Sequence, residues 1–136
     1  MVFGTFDVLH KGHLNFFKQA RGLAKNPYLV VSVARNVNVK RIKGAKPLLS
    51  QRERLKAIKK SKLVDKVVLG GAGNYLPHIV KERPAIIALG YDQKAYVKGL
   101  KQKLLQEGLS VKVVKLKAFH PHIYKSSLAK KKLKKS

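Results

Sequence analysis

Gly4-Thr5-Phe6-Asp7-Val8-Leu9-His10-Lys11-Gly12-His13 follows directly on a short apolar run and opens an amphipathic one. Upstream, Met1 to Phe6 predicts a buried strand. Downstream, Leu14, Phe16, Phe17, Ala20, Leu23 and Ala24 share one face of a helix expected over about 12–24. The decapeptide is therefore a strand-to-helix turn, and its residues suit an anion. Two imidazoles three positions apart at a helix start, His10 and His13, can both face one ligand and donate N–H bonds to phosphate oxygens. Gly12 leaves room for the backbone to approach that ligand, and the helix N-terminus adds amides and the positive end of its dipole. A surface histidine pair would account for the same residues in isolation. Their position after a Gly4-Thr5-Phe6-Asp7 turn at the end of an apolar strand favours the chemical reading.

The rest of the chain repeats the pattern. Tyr28 to Ala34 predicts a buried strand, and a basic loop, Arg35 to Leu49, comes next. Ser50-Gln51-Arg52-Glu53 is a capping box, so a helix is expected from about Gln51 to Lys60. Further on come a strand at Val67–Leu69, a helix at Tyr75–Glu82 stopped before Pro84, and a strand at Ala85–Leu89. A helix at Ala95–Gln106 closed by Gly108 and a strand at Val111–Leu116 complete the alternation, with a final basic helix or tail expected at about 126–136. The predicted fold class is α/β: a Rossmann-like parallel sheet with helices on both faces, which binds ligands at the carboxyl ends of its strands. With 136 residues, the chain is expected to form a single domain over 1–136.

Composition narrows the function. Hydrophobic residues make up 45% of the chain, enough for a core, and no apolar run approaches the roughly 18 to 20 residues of a membrane span. There is no cysteine, which removes disulfides, thiolate metal sites and cysteine nucleophiles. Nothing near Met1 resembles a secretory signal, so a soluble, cytoplasmic protein with no membrane partner is expected. The formal charge of +25, from 31 Lys and Arg against six acids, attracts any polyanion. Nucleic acid is accordingly one partner to weigh, as a non-catalytic binding module would predict, but that reading leaves His10 and His13 unexplained.

GTFDVLHKGH resembles the signature of the HxGH nucleotidyltransferases, which include cytidylyltransferases, pantetheine-phosphate adenylyltransferase and archaeal FAD synthetases. The likeness extends through SQRERLKAIKKSKLVDKVVLG (50–70), ALGYDQ (88–93), most similar to the archaeal FAD synthetases, and the Lys125-Ser126-Ser127-Leu128 segment. It implies that His10 and His13 bind the phosphates of an NTP and stabilise charge as the α-phosphoryl group transfers. Lys43 or Lys46, with Lys40 also open, would reach the α-phosphate and the acceptor. The resemblance further places Gly4, Thr5, Phe6, Gly12, Arg54, Gly90 and Tyr91 at the nucleotide, and Ser126 and Ser127 around its β- and γ-phosphates. Asp7 and Asp92 are expected at nucleotide contacts or in indirect support of Mg²⁺, with turn-capping as the alternative for both. Mg²⁺ would be held chiefly by phosphates and waters, and no metal-binding cluster is expected from the protein. Where the cytidylyltransferases carry an arginine before their ISTT segment, this chain has Phe119 to Lys125. Together with ALGYDQ, that departure favours ATP and FMN as substrates, giving FAD and pyrophosphate, over CTP and glycerol 3-phosphate. Tyr91, Tyr96, Phe119 and Tyr124 are candidates for a flavin wall. A homodimer is expected from the resemblance alone.

Overall fold

A computed structural model describes residues 1–36, 47–70, 76–90 and 99–117. Strands β1 (Val2–Gly4), β2 (Val30–Val33), β3 (Lys66–Leu69), β4 (Ile86–Leu89) and β5 (Lys112–Lys115) alternate with helices α1 (Lys11–Arg21), α2 (Gln51–Lys60), α3 (Leu76–Glu82) and α4 (Leu100–Gln106). All paired strands are parallel: Val2 sits opposite Val31, Val31 opposite Val67, and Ile87 opposite Val113. The ladders β1-β2-β3 and β4-β5 are joined by Met1, whose nitrogen donates to the Ile86 carbonyl at 2.8 Å and whose carbonyl accepts from Ala88 N at 3.0 Å. One residue straddling two neighbours in this way is the parallel pattern. The order is therefore β3-β2-β1-β4-β5, and the direction of winding reverses between β1 and β4.

Strand alternation divides the core into two layers. Val2, Val31, Val33 and Ala88 point to the face covered by Phe17 of α1 and Ile58 of α2. Phe3, Val30, Ile87 and Leu89 point to the opposite face, under Ile79 of α3 and Leu100 and Leu104 of α4. Helices cover both faces of the parallel sheet, as its apolar strands require.

Element ends differ from the periodicity reading where capping chemistry overrides it. The apolar pattern of α1 runs on to Ala24, but the helix ends at Arg21, where the Gly22 amide donates to the Lys18 carbonyl and the Leu23 amide to the Ala20 carbonyl. Helix α4 starts at Leu100, because Gly99 has φ of 75°, a left-handed conformation that a helix interior does not admit; residues 95–98 of the expected helix lie outside the described residues. By contrast, Ser50 and Glu53 form the expected reciprocal cap, and α2 has its predicted ends. The final helix expected at about 126–136 lies outside the described residues.

Phe17 is fully buried between α1 and the sheet. Phe17→Ala is expected to cost about 3–5 kcal/mol of unfolding free energy in a urea titration; a loss below about 1 kcal/mol would contradict this packing.

Candidate active site

The carboxyl ends of β1 and β4 bound the crevice at the switch point, where open parallel sheets bind ligands. The turn leaving β1 is shaped by one unusual backbone. Phe6 has φ of 50°, which costs a residue with a Cβ roughly 1–2 kcal/mol. The side chain accounts for it: the Phe6 ring folds back over Gly4 and packs on Phe17 and Phe16, with the His13 ring edge-on at 5.3 Å. A Cβ at position 4 would lie 2.7 Å from Phe6 Cζ, so only glycine fits beneath the ring.

His10 is the N-cap of α1. Its Nδ1 accepts from Gly12 N at 3.0 Å, and His13 Nδ1 accepts from His10 N at 3.3 Å. This is a capping box in which two imidazoles replace the usual hydroxyl and carboxylate. The rings stack with centroids 3.8 Å apart and planes 18° from parallel. Because each Nδ1 accepts, a neutral ring at either position carries its proton on Nε2, and in His10 that atom is buried. No acid lies in the first turn of α1 to oppose its positive end. Burial lowers the His10 pKa below 6.5, which keeps the ring neutral at pH 7 and its Nδ1 free to cap.

Two buried charged groups sit behind this turn. The Asp7 carboxylate is fully buried and accepts from Leu48 N at 2.7 Å and Leu49 N at 2.8 Å. Arg54, also fully buried, donates to the Thr5 carbonyl at 2.9 Å and to Asn36 Oδ1 at 2.6 Å. Burial pulls the Arg54 pKa below its usual value, and the Asp7 charge raises it again. The Asn36 amide in turn donates to Gln51 Oε1 at 2.7 Å.

Gly4, Thr5, Phe6, Asp7, His10, Gly12, His13 and Arg54 are thus brought to one turn, and Gly90 follows β4 on the neighbouring strand. Asp7 and Arg54 are engaged inside the protein, where the sequence suggested groups turned toward nucleotide, and Arg54 is not a solvated helix residue. Lys40, Lys43, Lys46, Tyr91, Asp92, Tyr96, Phe119, Tyr124, Lys125, Ser126 and Ser127 lie outside the described residues. Asn36 and Gln51 were not singled out by the sequence. Their one signal is indirect: Gln51 opens a capped helix and Asn36 lies three residues beyond β2, both polar at points where the chain needs partners. Among the described residues, no group of three or more His, Asp or Glu could hold a metal ion, and no helix is long and apolar enough to cross a membrane.

A stacked histidine pair at an unopposed helix N-terminus, set at the switch point of a parallel sheet, has the chemistry to meet a phosphate chain. The comparisons with known proteins agree. The cytidylyltransferase-like family model matches residues 1–132. A protein named FAD synthase from Korarchaeum cryptofilum is 43% identical over 88% of this chain and 81% of its own length. The FAD synthase of Thermococcus sibiricus is 41% identical over 93% of this chain and 82% of its own. A solved structure from Thermoplasma volcanium, described as a lipopolysaccharide core biosynthesis protein, superposes with a TM-score of 0.79 at 36% identity, covering 88% of this chain and 95% of that one. The chain belongs to the cytidylyltransferase-like family.

The cap and the pKa of His10 are linked. With its folded pKa depressed below 6.5, His10 contributes stability that is present above about pH 6.5 and is lost as pH falls toward the folded value, when Nδ1 takes a proton and can no longer accept from Gly12. An NMR titration of the free protein should give a His10 midpoint below 6.5, with faster amide exchange in the first turn of α1 on the acid side. A midpoint above 6.5 would contradict the cap.

Proposed function

We propose that this protein transfers AMP from ATP to FMN, giving FAD and pyrophosphate. The observation that carries the proposal is the stacked His10–His13 pair that caps the N-terminus of α1, each ring accepting a backbone amide at Nδ1. The names of the similar archaeal proteins support the flavin acceptor.

An FMN phosphate oxygen attacks the α-phosphorus of ATP in line. The new P–O bond forms as the bond to the bridging oxygen of the β-phosphate breaks, and pyrophosphate leaves with that electron pair. The attacking phosphate is already anionic, so no general base is needed. The protein's work is positioning and electrostatic stabilisation of the charge that builds on the phosphoryl oxygens. His10 and His13 donate to those oxygens, and the amides of α1 add to the field. Neutral rings suit this role, because a phosphate placed on Nε2–H raises the pKa of each imidazole and strengthens the bond as negative charge develops. Lys43 or Lys46 neutralises charge between α-phosphate and acceptor, and Ser126 and Ser127 hold the β- and γ-phosphates. Gly90, with Tyr91 and Asp92 after it, borders the position of the base. Mg²⁺ fits this donor set through the phosphates and waters; when bound, it supplies charge neutralisation on the triphosphate.

The test is pyrophosphate release with Mg²⁺, crossing ATP and CTP against FMN and glycerol 3-phosphate, with products identified by mass spectrometry. FAD from ATP and FMN is expected, and His10→Ala should lower kcat by about 10²–10³ with a smaller change in KM. CDP-glycerol from CTP would replace the flavin reading with a cytidylyltransferase. Full activity of His10→Ala would overturn the assigned role.

A further inference from the structure

We infer that Arg35 is an acceptor-binding residue: its guanidinium fork, held at the carboxyl ends of β2 and β3, takes the phosphate monoester of the acceptor before transfer. Its place in the reaction rests on the proposed function, which sets the nucleotide across β1 and β4.

The arginines among the described residues divide by what meets their charge. Arg52 and Arg83 are exposed to solvent. Arg21 pairs with Asp65 at 2.8 Å, and the buried Arg54 lies in the field of Asp7. Arg35 is half-buried, and its Nε donates to the Gly70 carbonyl at 2.6 Å. Among the described residues, no carboxylate pairs with it. A carbonyl satisfies Nε–H but leaves the charge unopposed, and withdrawing a guanidinium from water without an anion is a cost that this contact does not offset. With Nε occupied, the planar group still offers its Nη1–Nη2 edge, which can grip a phosphate through two parallel N–H bonds.

Backbone on both sides holds the fork in place. Ala34 N donates to the Gly4 carbonyl at 2.9 Å, which ties the residue before Arg35 to the start of the active-site turn. On the other side, the Asn36 amide donates to Gln51 Oε1 at 2.7 Å, and its side chain accepts from Arg54 at 2.6 Å. Gly70 N donates to the Val33 carbonyl at 2.8 Å, so the Arg35 bond extends the β2–β3 ladder by one more rung. The surroundings are positive as well. Burial, then the charges of Arg35 and Lys81, hold the His78 pKa below 6.5 against the opposing charge of Glu82.

Sheet order decides which substrate meets this fork. The nucleotide occupies the ends of β1 and β4, with its phosphates at α1 and its base beside Gly90, whereas β2 and β3 lie on the other side of β1. Two strand spacings, roughly 10 Å, separate the end of β3 from that of β1. The acceptor phosphate has to lie against the α-phosphate without overlapping the nucleotide, which leaves the β2–β3 side, where Arg35 stands.

Arg35→Gln removes the charge, and Arg35→Lys keeps it without the fork. Flavin fluorescence quenching should show the FMN Kd of Arg35→Gln raised about ten- to a hundredfold, the weight of lost hydrogen bonds to a charged group, with Arg35→Lys in between. The Kd of riboflavin, which lacks the phosphate, and the KM for ATP should move less than about twofold. In the wild type, FMN should raise the NMR midpoint of His78, because an anion beside Arg35 offsets its charge, and riboflavin should not. Unchanged FMN affinity in a folded Arg35→Gln protein overturns the inference. Equal weakening of riboflavin, which would set Arg35 against the ring, or a shift confined to ATP, overturns it too. Urea midpoints verify folding; should Arg35→Gln not fold, Arg35→Lys and the His78 midpoint decide the matter. A wild-type protein that couples CTP to glycerol 3-phosphate and ignores FMN overturns the flavin reading instead, and the same variants are then read on the KM for glycerol 3-phosphate.

Discussion

A carboxylate out of contact with water needs donors in place of its lost hydration, and the fold of this protein is arranged around meeting that need at Asp7. Two backbone amides from beyond the basic segment close on it, and Arg54 supplies an opposing charge from α2. These contacts draw together the turn after β1, the residues after β2 and the start of α2. The left-handed Phe6 immediately before Asp7 belongs to the same arrangement. It sends the aromatic ring into the core over Gly4 and leaves the next residue facing the loop that returns at Leu48. A strained backbone, a glycine without room for a methyl group and a buried carboxylate fall within four consecutive positions, and the histidine cap begins three residues later.

Scarce acids throughout the chain are used the same way. Glu53 completes the α2 cap, Asp65 accepts from Leu29 N and Arg21, and Glu82 accepts from Lys66. With Asp7, four of the five acids among the described residues tie elements together, and Glu107 alone among them carries no such bond. The cations outnumber these partners several-fold, so the field around the protein is positive and draws anionic substrates toward the crevice. Inside the crevice the chemistry is different in kind. Neutral imidazoles and amide dipoles are fixed there before substrate arrives, and preorganised dipoles of this sort need no rearrangement during transfer.

Much of this was legible in the residues. The period-two strands, the Ser50–Glu53 box and the helical spacing after His13 are local signals, and each marks an element the structure contains. Strand order was legible only as a class. The Met1 bridge that places β4 beside β1 is a contact between residues 85 apart, invisible to any local pattern. The same distance hid the partners of Asp7 and Arg54: a turn aspartate reads as ligand-facing or turn-capping and a helix arginine as nucleotide-facing until their partners, 41 and 49 residues away, are in place. Ser32 shows the complementary failure. It sits in a strand that reads as wholly apolar, and its burial is made tolerable by a 2.8 Å hydrogen bond with His78 Nε2 on α3 that no spacing foretells. The lysines and serines expected to touch phosphate belong to segments outside the described residues, so the resemblance remains their warrant.

The account depends on His10 and His13 meeting phosphate through Nε2. The most direct measurement is a ¹⁵N NMR titration of both imidazoles with a non-reactive ATP analogue and Mg²⁺. Binding should move the Nε2 signals of both rings and raise the His10 midpoint from its depressed value in the free protein. Saturable binding that leaves both imidazoles and their midpoints unchanged would contradict it.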